Sequence, residues 1–245
     1  MLGISLYFRI LPFLDFNQNS NDIRISLVKN TIMEVQNMDE LLNSVMIGIP
    51  EAIPNMQLPD PVLRDYYRDE QDRVCWITGA VTDKTLDVAE FIMKCNKEDM
   101  GKSIEERKRI LIMIDSPGGS VEVENSIIGA IKISKTPIWT CVYCTAYSAA
   151  ADLLACGHKR FAFPGTAVMM HAGSGRYEGT QAQIEQAKNF FDSMNKRINE
   201  YVYSRTDFDS KMKNKLKKDD VYMNEEDALK YGVIDKIIED FEEIF

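Results

Sequence analysis

At 245 residues the chain is long enough to bury a full core, as one large domain or as one domain with an extension. Its net charge of −9 argues against nucleic acid or a membrane as the main partner. Cys75, Cys95, Cys141, Cys144 and Cys156 make an odd set in mostly apolar surroundings, which reads as reduced thiols in a cytoplasmic protein.

The opening 16 residues are apolar but carry Arg9, Pro12 and Asp15, so they are too short and interrupted to span a bilayer. They also lack the basic start and small-residue cleavage site of a secretory signal. Residues 17–21 read as a polar loop, 23–35 as a strand pair and 39–45 as a short helix. Pro50, Pro54, Pro59 and Pro61 then break any regular element, and the stretch between them reads as a linker. Residues 1–60 are accordingly an N-terminal extension and linker, and 61–245 the main domain.

From Arg73 a regular alternation begins. Residues 74–79 form a short apolar strand, followed by a helix over 84–95 with Leu86, Val88, Ala89, Ile92 and Met93 on one side. Residues 110–114 are a continuous apolar run of strand length, which suits a strand covered on both faces. Ser116-Pro117-Gly118-Gly119 ends it, and residues 121–133 form the next helix. A strand over 137–142, a small-residue helix over 149–155 and strands over 160–163 and 167–170 follow. Strand–helix pairs in this order predict an α/β layer architecture with parallel strands.

Residues 180–203 carry the longest helical pattern, with Ile184, Ala187, Phe190, Phe191, Met194, Ile198, Tyr201 and Val202 recurring at three and four. Such a helix reaches roughly 36 Å at 1.5 Å per residue, more than a compact domain needs, so its tip is expected to project toward another subunit. Lys211, Lys213, Lys215, Lys217 and Lys218 read as a solvated helix face. A short helix over 224–232 capped by Gly232, then a strand over 233–238, closes the chain.

Ser148 stands at a strand-to-helix turn, where its hydroxyl either caps the helix or is exposed as a nucleophile with helical N–H groups pointing at its target. Of the two histidines, His158 lies in a polar turn, whereas His171 ends an apolar strand before the glycine loop at 173–175. The glycines at 118 and 119 either serve a turn or let the bare Gly119 N–H approach an oxyanion, with the Ala149 N–H as second donor. Each such donor lowers an acyl-transfer barrier by about 3 kcal/mol. Cys141 and Cys144, three apart on a strand, face opposite ways and cannot share one metal ion.

Several segments together resemble the family of the Clp protease proteolytic subunit, ClpP. They are Ser116-Pro117-Gly118-Gly119, Ala146-Tyr147-Ser148 before a small-residue helix, Val168-Met169-Met170-His171, Tyr177-Glu178-Gly179 before the long helix, and residues 226–235. The match runs from about Leu63 to Ile238. The resemblance implies the fold shared by ClpP and the crotonases, repeated β-β-α units in parallel sheet layers with a projecting "handle" helix. It implies a serine endopeptidase acting on unfolded polypeptides, with Ser148 as nucleophile, His171 as general base and Asp220 as the orienting acid. Asp219 is the competing choice for the acid. Gly119 and Ala149 would form the oxyanion hole, and Gly118, Ser120, Val121, Gly173, Ser174 and Gly175 would hold the peptide as an added strand. No cofactor or metal is implied. The implied partners are copies of the same chain, in heptameric rings stacked as a tetradecamer, and an ATP-driven AAA+ unfoldase of the ClpX, ClpA or ClpC type.

Three positions depart from the family's habit. Tyr147 replaces a common alanine, Ala149 and Ala150 replace methionine and glycine, and Asp219 stands where an arginine often bridges two rings. Residues 1–60 do not resemble the family's short N-terminal pore loop. Two alternatives stay open: a crotonase-type acyl-CoA enzyme, which needs the two amides but no Ser–His pair, and a catalytically inactive ring subunit.

Overall fold

A computed structural model describes residues 68–245 of the chain, within the unit Asp60–Phe245. The expectations for the opening segment, the strand pair, the short helix and the proline linker, and the domain boundary at 60, fall outside the described residues. The elements are β1 (Val74–Thr78), α1 (Leu86–Glu98), β2 (Ile110–Ser116), α2 (Val121–Ile133), β3 (Ile138–Tyr147), α3 (Ala149–Cys156), β4 (Lys159–Ala162) and β5 (Ala167–Met170). After these come α4 (Gln181–Arg205), α5 (Ser210–Leu216), β6 (Val221–Asn224), α6 (Glu225–Lys230) and β7 (Lys236–Ile237).

The apolar run of β2 has no polar residue before Asp115 because both faces of the strand are covered. Ile110, Ile112 and Ile114 enter the larger core under α1, α2 and α3, while Leu111 and Met113 enter a second cluster with Val74, Cys141, Phe161 and Ile238. Each fully buried aliphatic side chain contributes about 1.5–3 kcal/mol, so this strand alone anchors the sheet. β1, β2, β3, β4 and β7 lie side by side in that order, each pair parallel. The one antiparallel pair among the described residues is β5 with β6. The chain thus has the α/β architecture with a parallel sheet that its pattern predicts.

β3 is longer than its sequence suggests. The predicted end at Val142 is replaced by an end at Tyr147, because the strand changes partner part way along. Trp139 to Val142 pair with β4, and Thr145 to Tyr147 pair with β5. At the changeover β2 has an irregularity after Ile114, where the Asp115 carboxylate accepts hydrogen bonds from the Thr145 backbone N–H at 3.2 Å and hydroxyl at 2.8 Å. This stitch carries the end of β3, and hence residue 148, beyond the main sheet.

The α1 face follows its predicted stripe except that Met93 is exposed and Cys95 takes a buried place; on the long helix Ala187 and Phe190 of the predicted stripe are exposed. α4 has 25 residues, but its buried positions are Met194, Ile198 and Val202, all in its second half. Phe190 is 65% exposed, and among the described residues its half of the helix packs chiefly through Phe191 against Tyr177, so α4 projects as the pattern expects. Four of the five lysines after it are exposed, with Lys213 lying over the Tyr203 ring. Cys141 is buried and Cys144 exposed, on opposite faces of β3. No helix among the described residues is long and apolar enough to cross a membrane.

Candidate active site

Parallel strands that leave a sheet together deliver their loops to one edge, where side chains from distant parts of the chain converge. The C-terminal ends of β2, β3 and β5 and the N-terminal end of the antiparallel β6 meet there. They bring the 117–119 loop, Ser148, His171 and Asp220 into one neighbourhood.

Ser148 has φ +55°, a conformation that only one other non-glycine residue among the described ones adopts. The strain is held by the backbone: its N–H donates to the Met169 carbonyl at 2.8 Å, and its own carbonyl accepts from Ala151 and Asp152 in the first turn of α3. The hydroxyl makes no cap bond to α3. Instead Ser148 Oγ lies 2.7 Å from His171 Nε2. On the far side of the ring, His171 Nδ1 lies 3.2 Å from Asp220 Oδ1. A carboxylate at Nδ1 keeps the neutral proton there and leaves Nε2 free to accept the serine proton. No hydrogen bond or ion pair among the described residues joins Asp219 to His171; the Asp219 N–H donates to the Lys215 carbonyl. The loop after His171 is tied down where the Ala172 N–H donates to the Leu216 carbonyl at 2.8 Å.

The glycine loop presses against this turn. A Cβ on Gly118 would lie 2.5 Å from the Tyr147 carbonyl and 3.0 Å from the Ala149 nitrogen; one on Gly119 would lie 2.2 Å from the Val81 carbonyl. Only glycine lets the backbone approach this closely. Val81 clamps the loop from outside, donating to Gly118 O at 2.9 Å and accepting from Ser120 N–H at 2.9 Å. Between those two bonds the Gly119 N–H has no acceptor among the described residues. The Ala149 N–H, first in α3, is free for the same reason that every helix N-terminus is.

A narrow cleft of about 50 Å³ opens beside Ser148, Ala149, His171 and Gly119. Val121, Gly173 and Ser174 also line it. Some groups of the residues expected to hold a peptide already have partners within the chain. The Gly118 carbonyl and Ser120 N–H bond to Val81, the Ser120 hydroxyl caps α2 by accepting from Val123 N–H at 3.3 Å, and a Cβ on Gly175 would lie 2.6 Å from the Tyr177 hydroxyl. Tyr147, the bulky neighbour of the serine, turns onto Tyr222 with ring centroids 6.0 Å apart and stays out of the cleft. His158 is exposed at a turn, where its Nδ1 accepts from the Ile138 N–H at 3.0 Å.

Sequence reasoning missed four groups here. Val81 is an isolated bridge residue with no motif around it. Asn195 reaches the cleft from α4. Glu124 on α2 and Asp152 on α3 also line it. A lone carboxyl in the otherwise apolar Ala149–Cys156 helix was the available signal for Asp152. Burial pushes its carboxyl up to about 7, and burial with Asp152 as neighbour pushes Glu124 well above the usual carboxylate range.

A serine hydroxyl against an imidazole, two unclaimed amides and a cleft beside them can carry out acyl transfer. The family model described as Clp protease matches residues 70–241 of this chain. The chain is 31% identical over 195 residues to the ATP-dependent Clp protease proteolytic subunit of Carsonella ruddii (strain PV), covering 79% of this chain and 97% of that protein. By fold, sequence and extent of match, this chain belongs to the Clp protease family.

Proposed function

We propose that the chain is the serine-type proteolytic subunit of a self-compartmentalising, ATP-dependent protease that cleaves unfolded polypeptides in the cytoplasm. The observation that carries this reading is the 2.7 Å contact between Ser148 Oγ and His171 Nε2. A crotonase-type reaction would use the two amides but has no need of that contact. An inactive ring subunit would have no reason to keep the serine in a strained turn with its hydroxyl facing an imidazole.

In this reading Ser148 Oγ attacks the scissile carbonyl carbon while His171 Nε2 takes the serine proton, and the Asp220 carboxylate steadies the imidazolium. The N–H groups of Gly119 and Ala149 hold the tetrahedral oxyanion. The intermediate collapses by breaking the C–N bond, and His171 returns its proton to the departing amine. A water then attacks the acyl-enzyme with the same base, freeing the carboxylic acid and regenerating the serine. The peptide lies extended between Gly119–Val121 and Gly173–Gly175 as an added strand.

Family membership points to rings of identical subunits fed by a Clp ATPase. The half-exposed α4, with Phe190 bare, is the element we assign to contacts between copies in heptameric, stacked rings. Residues 1–60 are proposed as an N-terminal extension of the peptidase domain. No cofactor or metal is part of the proposal.

The test is hydrolysis of a quenched, unstructured peptide by the purified full chain, which needs no ATPase. Turnover is expected, and Ser148→Ala should reduce it by roughly five to six orders of magnitude. Equal turnover by the variant would contradict the assignment.

A further inference from the structure

Two carboxyls that the proposed chemistry does not use sit in the same cleft as the serine. Glu124 is only 3% exposed, and its Oε1 is buried without a hydrogen-bond partner among the described residues. Asp152 lines the same cleft from the neighbouring helix, and its nearness helps push the Glu124 carboxyl up. Both lie one helical turn below the reacting groups. The Glu124 N–H donates to the Ser120 carbonyl at 3.0 Å and the Asp152 N–H to the Ser148 carbonyl at 3.2 Å. Residues four apart share a helix face, so each carboxyl lies under the mouth of the cleft.

Burying a carboxyl with an empty acceptor is costly unless something fills that acceptor. No lysine or arginine lines the cleft among the described residues. Val121, Ala149 and Ile198 give the cleft an apolar part, beside the polar Ser174, Asn195 and Asn199. Ala149 is small, and it stands three positions before Asp152 on the same face, so it leaves the carboxyl beneath uncovered. A cleft with an apolar part and an acidic end suits a long aliphatic side chain that ends in a cation.

We propose that Glu124 and Asp152 form the floor of the subsite for the substrate side chain on the acyl side of the scissile bond, and select lysine or arginine there. The proposal rests on the serine-peptidase reading. With the substrate carbonyl between the Gly119 and Ala149 amides and its carbon at Ser148 Oγ, the adjoining side chain enters this cleft. A buried carboxyl pair facing a neutral chain keeps its unfilled acceptor; facing an ammonium or guanidinium it forms charge-assisted hydrogen bonds.

The test measures second-order rates of Ser148 modification by peptide diphenyl phosphonates that differ only in that one side chain, read by intact mass on the full chain. The arms are lysine, arginine, norleucine and citrulline, the last two being neutral counterparts of the first two. Lysine and arginine should each exceed their counterparts by at least about tenfold. The double substitution Glu124→Gln with Asp152→Asn should bring both ratios toward one. If that variant does not fold, the wild-type ratios decide alone. Equal or faster reaction of the neutral arms, with Ser148 still modified, overturns the specificity and leaves the peptidase reading standing. No modification by any arm overturns both.

Discussion

Arg73 and Ser148 adopt nearly the same unfavourable backbone, with φ of 56° and 55°, at opposite ends of the sheet's history: one precedes β1, the other follows β3. Their side chains have opposite fates. Arg73 is 7% exposed, and its guanidinium donates to both oxygens of Asp99 at 2.6 and 3.0 Å, to the Lys108 carbonyl at 2.9 Å and to Glu98 at 3.2 Å. Asp99 is itself completely buried and also accepts from Thr136 and Lys102. At Ser148 it is the backbone that is tied, and the hydroxyl faces only His171. Strain by itself therefore marks no site. A strained residue becomes a reactive one when its backbone is held by neighbours and its side chain is left for chemistry.

After Ser148→Ala, the largest effect expected on the reactive side is at the acid. Asp220→Asn should lower kcat by about four orders of magnitude, because the amide no longer fixes the imidazole tautomer. Asp219→Asn should leave peptide hydrolysis within a few-fold of wild type. A reversed ranking in a turnover assay would move the acid to Asp219. On the structural side, Arg73→Ala should destabilise the fold by about 3 kcal/mol in denaturant titration, since it leaves the buried Asp99 carboxylate short of its main partner. Arg73 holds that carboxylate well below the usual range, so its contribution is present above pH ~4 and lost as pH falls through the folded value. Arg73→Ala should flatten this acid limb.

The Glu124–Asp152 pair has the opposite sign. Its carboxyls are pushed up, Asp152 to about 7, so the folded state keeps protons that the unfolded chain releases above pH ~4. Stability should fall as pH rises from about 4 through 7, and Glu124→Gln with Asp152→Asn should remove that slope in melts taken across the range. Tyr203 and Cys156, the other titratable groups in the field of Asp152, are themselves pushed up by burial and stay neutral over it. The smallest expected change in stability is at the serine itself. Ser148→Gly should stabilise the fold by about 1 kcal/mol while abolishing hydrolysis, because glycine tolerates positive φ at no steric cost. A loss of stability there would mean that the backbone is not strained.

Much of this was legible because local chemistry and tertiary position agree. The α2 helix begins and ends where its pattern says, since Ser120 caps it and the apolar stripe runs out at Ile133. The continuous apolar run of β2 betrayed a doubly covered strand. Ser148 and His171 stood out because both end apolar strands, which deliver side chains to an edge. The second half of β3 was hidden: of residues 143–147 only Ala146 is buried, and only the change of partner from β4 to β5 makes them strand. Asp220 was reached through family resemblance, since β6 is four residues long and its antiparallel pairing with β5 depends on contacts far apart in the chain. The Glu124–Asp152 pair was invisible for a similar reason, each carboxyl reading as an ordinary helical acid until α2 and α3 pack side by side.

Among the described residues the Ser148 hydroxyl is the one placed to react. Treatment of the full chain with a fluorophosphonate probe, followed by peptide mapping, measures that. A single adduct on Ser148 is expected, lost in His171→Ala and kept in folded Arg73→Ala. An adduct on another serine, or none on Ser148 in the wild-type chain, would contradict it.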